Sequence, residues 1–291
     1  MEKRLRPLLW LFPLCLQSSN ALAWGLYTHV YFAQLLLWAV PLIDPQLRRC
    51  VKQFPRLVMT GACLPDLSLV GGAVGTDAFR LTHHWETVAM LLQGAETEQE
   101  RALALGFASH LLVDVIAHNH FVPAHETLWV NLPMVTHVAS EWAMDAHVAP
   151  QLFATPSELL RGRPEFLPRF LAGRFGCTGE QAAGAMDRLA TADRVLRRSG
   201  LPKGLYRGAR WLDGQLERRF DYYMGETAVR LTQINRVMAG EAPAWTAELH
   251  CEETKRRRME RYTRREIRHK LPLPLDLFSA DLFAEAGEVL E

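Results

Sequence analysis

The segment Gly106–His118 constrains the fold more than any other part of the chain. Its sequence, GFASHLLVDVIAH, is apolar except at Ser109, His110, Asp114 and His118. The last three are four residues apart, so on an α-helix they stack along one face at intervals of about 6 Å. Apolar neighbours predict that this helix is buried. A buried carboxylate between two imidazoles costs free energy unless hydrogen bonds in an ordinary core, or a bound cation, compensate it.

A second predicted helix repeats this spacing. His137 and Glu141 are four residues apart in the segment THVASEWAMD. One such pair arises readily by chance, but two pairs in neighbouring helices favour a shared metal site. Ligand sets of His and carboxylate without Cys suit Zn²⁺, and on ligand type alone Mn²⁺ and Fe²⁺ remain open.

Further candidate ligands lie outside these two helices. Asp66 directly follows Pro65, the pair His83 and His84 opens a predicted helix, and His29 lies near the start of the first helix. Each of them alone is more often a capping or core residue. Together with the two helices they supply enough ligands for a multinuclear site.

The first 23 residues have the pattern of a secretory signal peptide. Three of the first six residues are Lys or Arg, Leu8–Leu16 is apolar, and the segment ends in Ala-Leu-Ala. The apolar stretch is far shorter than the roughly 20 residues of a membrane span. We expect cleavage after Ala23 and a periplasmic or secreted protein. The new α-amine of Trp24, with a reference pKa near 8, could then serve as a nitrogen ligand.

The rest of the chain is predicted to be all-α, because apolar runs are long and are interrupted by Pro and Gly rather than alternating with period two. Pro123 is expected to lie beyond the end of the helix that carries His110. The predicted helices are 26–39, 45–53, 84–94, 98–119, 134–149, 156–175, 179–198, 204–219, 221–238 and 244–269.

Charge is balanced overall but uneven along the chain. With 33 Lys and Arg against 32 Asp and Glu, the net charge of +1 gives no global attraction to nucleic acid or anionic lipid. Lys255–Lys270 holds nine basic residues against two glutamates, a net charge of +7, so the remainder carries −6. We favour a solvated helix face for this segment. The alternative is peripheral contact with anionic membrane lipid.

These residues together resemble the zinc-dependent phospholipase C family, which is related in fold and site to the fungal single-strand nucleases. The opening Trp24-Gly-Leu-Tyr-Thr-His29 is similar to the mature start of the branch that includes the zinc domain of glycosylphosphatidylinositol-specific phospholipase D. The resemblance implies an all-helical domain around three zinc ions. It divides the chain into a signal peptide (1–23), a catalytic core (24–150) and a helical C-terminal part (151–291) that completes or covers the core.

The resemblance also implies a set of ligands for two to three zinc ions. Carried over by position, the first zinc is held by Asp66, His84, His110 and Asp114, the second by His118, His137 and Glu141, and the third by Trp24, His29 and a shared Asp114.

Two of these assignments have alternatives. In the bacillary members the second-zinc His lies six residues after the Asp and beyond a Pro, but here His120 occupies that position with no Pro before it. Helix geometry favours His118, because position +6 points away from Asp114. His84 is preferred to His83 because it precedes an aromatic residue, as the family's His often does.

The function implied is phospholipid hydrolysis of the phospholipase C type, with a metal-bridged hydroxide as nucleophile. Asp66 could accept a proton from the attacking water as well as bind zinc. Two other functions stay open. One is the same chemistry on single-stranded nucleic acid or another phosphodiester, although the acidic remainder of the chain predicts no stable nucleic-acid partner. The other is a non-catalytic, zinc-stabilised binding module.

Overall fold

The computed structural model describes residues 25–129, 133–247 and 282–283, and within these ranges it contains helices and no strand. The predicted all-α fold is therefore confirmed. Its α-helices are α1 (Leu26–Leu35), α2 (Pro45–Gln53), α3 (Pro55–Gly61), α4 (Trp85–Gln93), α5 (Glu98–Ile116), α6 (Val122–Leu128), α7 (Pro133–Val148), α8 (Pro156–Leu160), α9 (Phe166–Phe175), α10 (Gly179–Ser199), α11 (Leu201–Leu212), α12 (Leu216–Arg230) and α13 (Ile234–Met238). Short 3₁₀ helices at Pro65–Leu69, Gly72–Val74, Ala149–Gln151 and Leu231–Gln233 connect several of them.

Helix α5 lies at the centre of the domain, and every residue from Ala102 to Ile116 is buried. It begins with a capping box: Thr97 Oγ1 accepts from Glu100 N, and the Glu100 carboxylate accepts from Thr97 N, each at 3.2 Å. These bonds satisfy backbone N–H groups that the first turn cannot pair. The segment Glu98–Glu126 is apolar and long enough to cross a membrane, but its most apolar stretch is wholly buried inside the domain, as expected of a core helix.

Two glycines let helix α3 approach α5 unusually closely. A Cβ atom on Gly61 would overlap the carbonyl oxygen of Leu103, and one on Gly106 would overlap that of Val58. Backbone therefore faces backbone where the two helices cross. This contact brings the end of α3 against the turn of α5 that carries His110.

The helix that carries His110 does not end before Pro123, contrary to the sequence-based prediction. It passes through a π-helical turn at Ala117–Phe121 and continues as α6 to Leu128. Within the turn, Val122 N donates to Ala117 O, five residues back. Because Pro123 has no N–H and its ring opposes a regular α-turn, a local change of helix register lets the chain continue through it.

The second half of the chain packs on the helices that precede it. Helix α10 contacts α8 and α9, and α11 lies along α7. Two predicted boundaries here are wrong: the predicted helix 156–175 is interrupted after Leu160, near Gly162 and Pro164, and α11 begins at Leu201 after the left-handed Gly200. The predicted helix 244–269 and the basic segment Lys255–Lys270 lie outside the described residues from position 248 onward.

Candidate metal centre

Candidate ligands from five parts of the fold converge in three groups. Within each group, the ligand atoms lie within 4.8 Å of one another. We name each group after one of its acids. The Asp114 group is His29, His110 and Asp114; the Asp66 group is Asp66, His83 and His110; the Glu141 group is His118, His137 and Glu141.

The Asp114 group joins helix α1 to helix α5. His110 Nε2 lies 3.1 Å from Asp114 Oδ2, and His29 Nε2 lies 3.2 Å from Asp114 Oδ1. The rings of His29 and His110 stack with centroids 3.6 Å apart. All three side chains are buried, as the apolar surroundings of Asp114 predicted. The two carboxylate oxygens therefore face different imidazoles.

A backbone carbonyl sets the orientation of His110. Its Nδ1 lies 2.8 Å from Ala62 O. Since a carbonyl oxygen can only accept, Nδ1 carries the proton and Nε2 presents a lone pair to the cluster. Orientation of a histidine through its second nitrogen is the usual arrangement around a protein-bound metal.

The Asp66 group shares His110 with the Asp114 group. Asp66 Oδ1 lies 3.6 Å from His83 Nε2 and 3.9 Å from His110 Nε2, and His83 Nε2 is also 3.6 Å from Asp114 Oδ2. Asp66 comes from the 3₁₀ helix Pro65–Leu69, directly after the constraining proline. Asp114 thus lies between two groups, consistent with its predicted role as a shared ligand.

The structure places His83, rather than the predicted His84, in this group. The side chain of His84 is 58% exposed, and its Nδ1 lies 4.0 Å from Glu86. The reason lies in Thr82, whose buried hydroxyl donates to Pro65 O at 2.6 Å. This bond holds the turn against the segment that carries Asp66 and brings the next residue, His83, to that carboxylate. The preference for His84 is therefore corrected.

The Glu141 group joins the π-helical turn to helix α7. His137 Nε2 lies 2.8 Å from Glu141 Oε1, as the four-residue spacing predicted. The ring of His118 lies beside that of His137, with centroids 5.2 Å apart. Between the two alternatives at this position, His118 is the one in the group and His120 is not.

Burial and charge shift the pKa values of these groups in ways that suit a cation. Burial opposes the charged form of Asp114, but the imidazoles of His110 and His29 hold its pKa well below the usual range. Burial lowers the pKa of His118 to about 3, so its imidazole is neutral and can donate a lone pair. Burial, followed by the nearby Asp114 and other carboxylates, raises the pKa of Glu141 well above its usual range.

Several buried ligand atoms have no hydrogen-bond partner among the described residues. They are both ring nitrogens of His29, both carboxylate oxygens of Asp114, Nδ1 of His118 and Oε1 of Glu141. The close approaches within the groups therefore lack the alignment of hydrogen bonds. Unpaired buried polar atoms are costly, and a bound divalent cation would satisfy them. Nitrogen and carboxylate donors without sulfur fit zinc.

The fold and the cluster define an all-α domain with a multinuclear site built from His and carboxylate ligands. Residues 28–164, slightly less than half of the chain, match the family model described as "Zinc dependent phospholipase C". This segment of the chain belongs to that family. No curated protein and no solved structure matches the chain significantly.

The family and the ligand groups together support zinc and fit a zinc phosphodiesterase. One predicted ligand, Trp24, lies outside the described residues, as does the predicted signal peptide. The other ligand assignments remain predictions that the geometry now makes specific. Sequence reasoning had ranked His83 second, and no local signal separates it from its neighbour.

Proposed function

We propose that this protein is a zinc-dependent phosphodiesterase that hydrolyses phospholipids in the manner of a phospholipase C. The observation that carries the proposal is the position of Asp114 between two ligand groups that share His110. Adjacent groups with shared ligands suit metal ions that act together on one phosphodiester. The family match over 28–164 supports phospholipid as the substrate class.

The number of ligands favours catalysis over a purely structural role. Each of the three groups supplies three ligand atoms from the described residues. Structural zinc sites usually have four protein ligands, whereas catalytic sites keep a position open for water or substrate. A non-catalytic, zinc-stabilised module is therefore the weaker alternative.

In this proposal the chain's own residues hold the cations and manage one proton. When bound, zinc would lower the pKa of a water molecule and neutralise charge on the phosphodiester. Asp66 would hold the cation of its group and accept the proton of the attacking water. His110, oriented by Ala62 O, and Asp114 would keep the two adjacent groups in a fixed relation. Placement of charge supplies most of the catalysis in phosphodiester chemistry.

We also propose that the protein acts outside the cytoplasm. The basic and then apolar pattern of residues 1–23 supports export, and cleavage after Ala23 would expose the amino group of Trp24. The segment Lys255–Lys270, with its net charge of +7, is a candidate for peripheral contact with anionic lipid.

The function is tested by metal analysis and hydrolysis assays on the purified protein lacking residues 1–23. We expect two to three zinc ions per chain and release of phosphorylated head groups from mixed phospholipid vesicles. His110→Asn should abolish release, while His84→Asn, outside the three groups, should leave it unchanged. Zinc well below two per chain would contradict the enzymatic proposal.

The same samples separate the alternatives. Hydrolysis of single-stranded DNA or RNA without release of lipid head groups would replace the phospholipase proposal with a nuclease. A full zinc complement with no hydrolysis of any phosphodiester would favour the non-catalytic module.

A further inference from the structure

We propose that Asp145 is a positioning residue for the Asp114 group, and that Arg197 holds it in place from the second half of the chain. Asp145 lies one helical turn after Glu141 on α7 and is fully buried. None of the three ligand groups includes it. The inference rests on the proposed zinc site but assigns a role to residues outside it.

The carboxylate of Asp145 caps helix α1 from across the fold. Its Oδ1 accepts from Thr28 N at 2.9 Å and from Thr28 Oγ1 at 2.8 Å. The N-cap residue of α1 is Gly25, which has no side chain to cap the helix itself. A carboxylate at a helix N-terminus pairs an otherwise unsatisfied N–H and is favoured by the helix dipole.

Gly25 is required where it stands. A Cβ atom at this position would overlap the carboxylate of Asp145, with Oδ1 at 2.8 Å and the other two atoms nearer still. The chain therefore enters α1 directly across the face of the carboxylate. Both the hydrogen bonds and the steric fit fix where α1 begins.

Arg197 on helix α10 holds the carboxylate from its other side. Its Nη2 donates to Asp145 Oδ2, and its Nε donates to Asp193 Oδ1 at 3.2 Å. The guanidinium also lies 4.1 Å from the centre of the Tyr27 ring. Arg197 lies beyond the end of the family match at residue 164. The second half of the chain therefore contacts the start of α1.

These contacts bear on the metal centre because the residue after Thr28 is His29. The ring of His29 stacks on His110 and points Nε2 at Asp114, so its position depends on where α1 begins. Helix α7 carries both Asp145 and Glu141, so the cap also sets the Glu141 group relative to the Asp114 group. Groups behind a metal ligand commonly alter metal affinity by about 10- to 100-fold.

Thr28 offers a matched pair of substitutions. Thr28→Val keeps the shape of the side chain and removes the hydroxyl donor, while Thr28→Ser removes a methyl group and keeps the donor. If the cap positions His29, the affinity of the most weakly bound zinc should fall about tenfold in Thr28→Val and stay near wild type in Thr28→Ser. Chelator competition on the protein lacking residues 1–23 measures this affinity without reference to activity.

Asp145→Ala and Gly25→Ala perturb the same junction from its two sides. Both should lower the same zinc affinity by about 10- to 100-fold and change the visible absorption spectrum of the Co²⁺-substituted protein. Asp213→Asn is the control, because it breaks the contact of Asp213 with the fully buried Arg219, 3.2 Å away in the same half of the chain. It should lower the melting temperature and leave zinc affinity and the Co²⁺ spectrum unchanged.

Wild-type zinc affinity and Co²⁺ spectra in Thr28→Val, Asp145→Ala and Gly25→Ala would overturn the inference, whatever their melting temperatures. The isosteric Thr28→Val keeps the test decisive if the other two variants do not fold. A wild-type protein that binds no zinc would instead reject the proposed function. Wild-type zinc binding that the variants share would reject the positioning role alone.

Discussion

His110 donates from Nδ1 to the carbonyl oxygen of Ala62, 2.8 Å away. This bond connects the backbone after helix α3 to a candidate ligand on α5. It depends on the close crossing of the two helices at Gly61 and Gly106. Helix packing and ligand orientation are therefore the same structural feature at this point.

Substitution of Gly106 by Ala should damage both stability and the metal site. The new Cβ would overlap Val58 O, so the helices must separate. We expect the free energy of unfolding to fall by at least about 2 kcal/mol and zinc content to fall with it. Denaturant unfolding and metal analysis check this.

Gly173 is the matched control. It lies exposed in helix α9, and a Cβ there meets no atom within 4 Å. Gly173→Ala should change stability by no more than about 1 kcal/mol, in the stabilising direction, with zinc unchanged. Equal effects of the two substitutions would show that the close crossing does not matter.

The two adjacent histidines should behave differently. His83→Asn removes a ligand atom of the Asp66 group and should cost about one zinc per chain together with most of the hydrolytic activity. His84→Asn changes an exposed side chain paired only distantly with Glu86, so zinc and turnover should be unaffected. The reverse result would restore the sequence-based preference for His84.

This pair shows where sequence reasoning reached its limit. Four-residue spacing on a helix placed His110, Asp114 and His118 on one buried face, and His137 beside Glu141, because helix geometry is local. Neither rule could choose between His83 and His84, since the choice depends on a hydrogen bond from Thr82 to the distant Pro65.

Contacts between distant parts of the chain were equally out of reach. The bond from Thr28 to Asp145 joins residues 117 positions apart. The π-helical turn was missed because Pro123 normally ends a helix, and here a change in hydrogen-bond register accommodates it. Convergence of the ligand groups was expected only through the family resemblance.

The free energy of unfolding should depend on pH through His125. This side chain is buried among aromatic rings, and burial lowers its pKa from 6.5 to about 4, with Arg219 acting in the same direction. Between these values the unfolded state binds more protons than the folded state. Stability should therefore fall by up to about 3 kcal/mol as the pH falls from 6.5 to 4.

Urea unfolding of wild type and His125→Phe, both in chelator, isolates this contribution. Other buried groups, including His118, titrate alike in the two proteins and cancel in the difference. The pH dependence of the variant should be shallower by up to one proton in this window. Parallel curves would show that His125 does not titrate as its burial requires.

The processed amino end should serve as a ligand. A protein that keeps one extra residue before Trp24 displaces the α-amine from its predicted position. We expect about one zinc per chain to be lost and turnover to fall, with the Glu141 group still occupied. Unchanged zinc content and turnover would contradict the N-terminal ligand.

The most direct test of the central claim is anomalous diffraction at the zinc absorption edge from crystals of the mature protein. The account predicts two or three zinc peaks, with one peak on each side of Asp114 or between Asp114 and its partners His29, His83 and His110, and another at His118, His137 and Glu141. Zinc confined to sites away from Asp114, or no zinc peak at all, would contradict it.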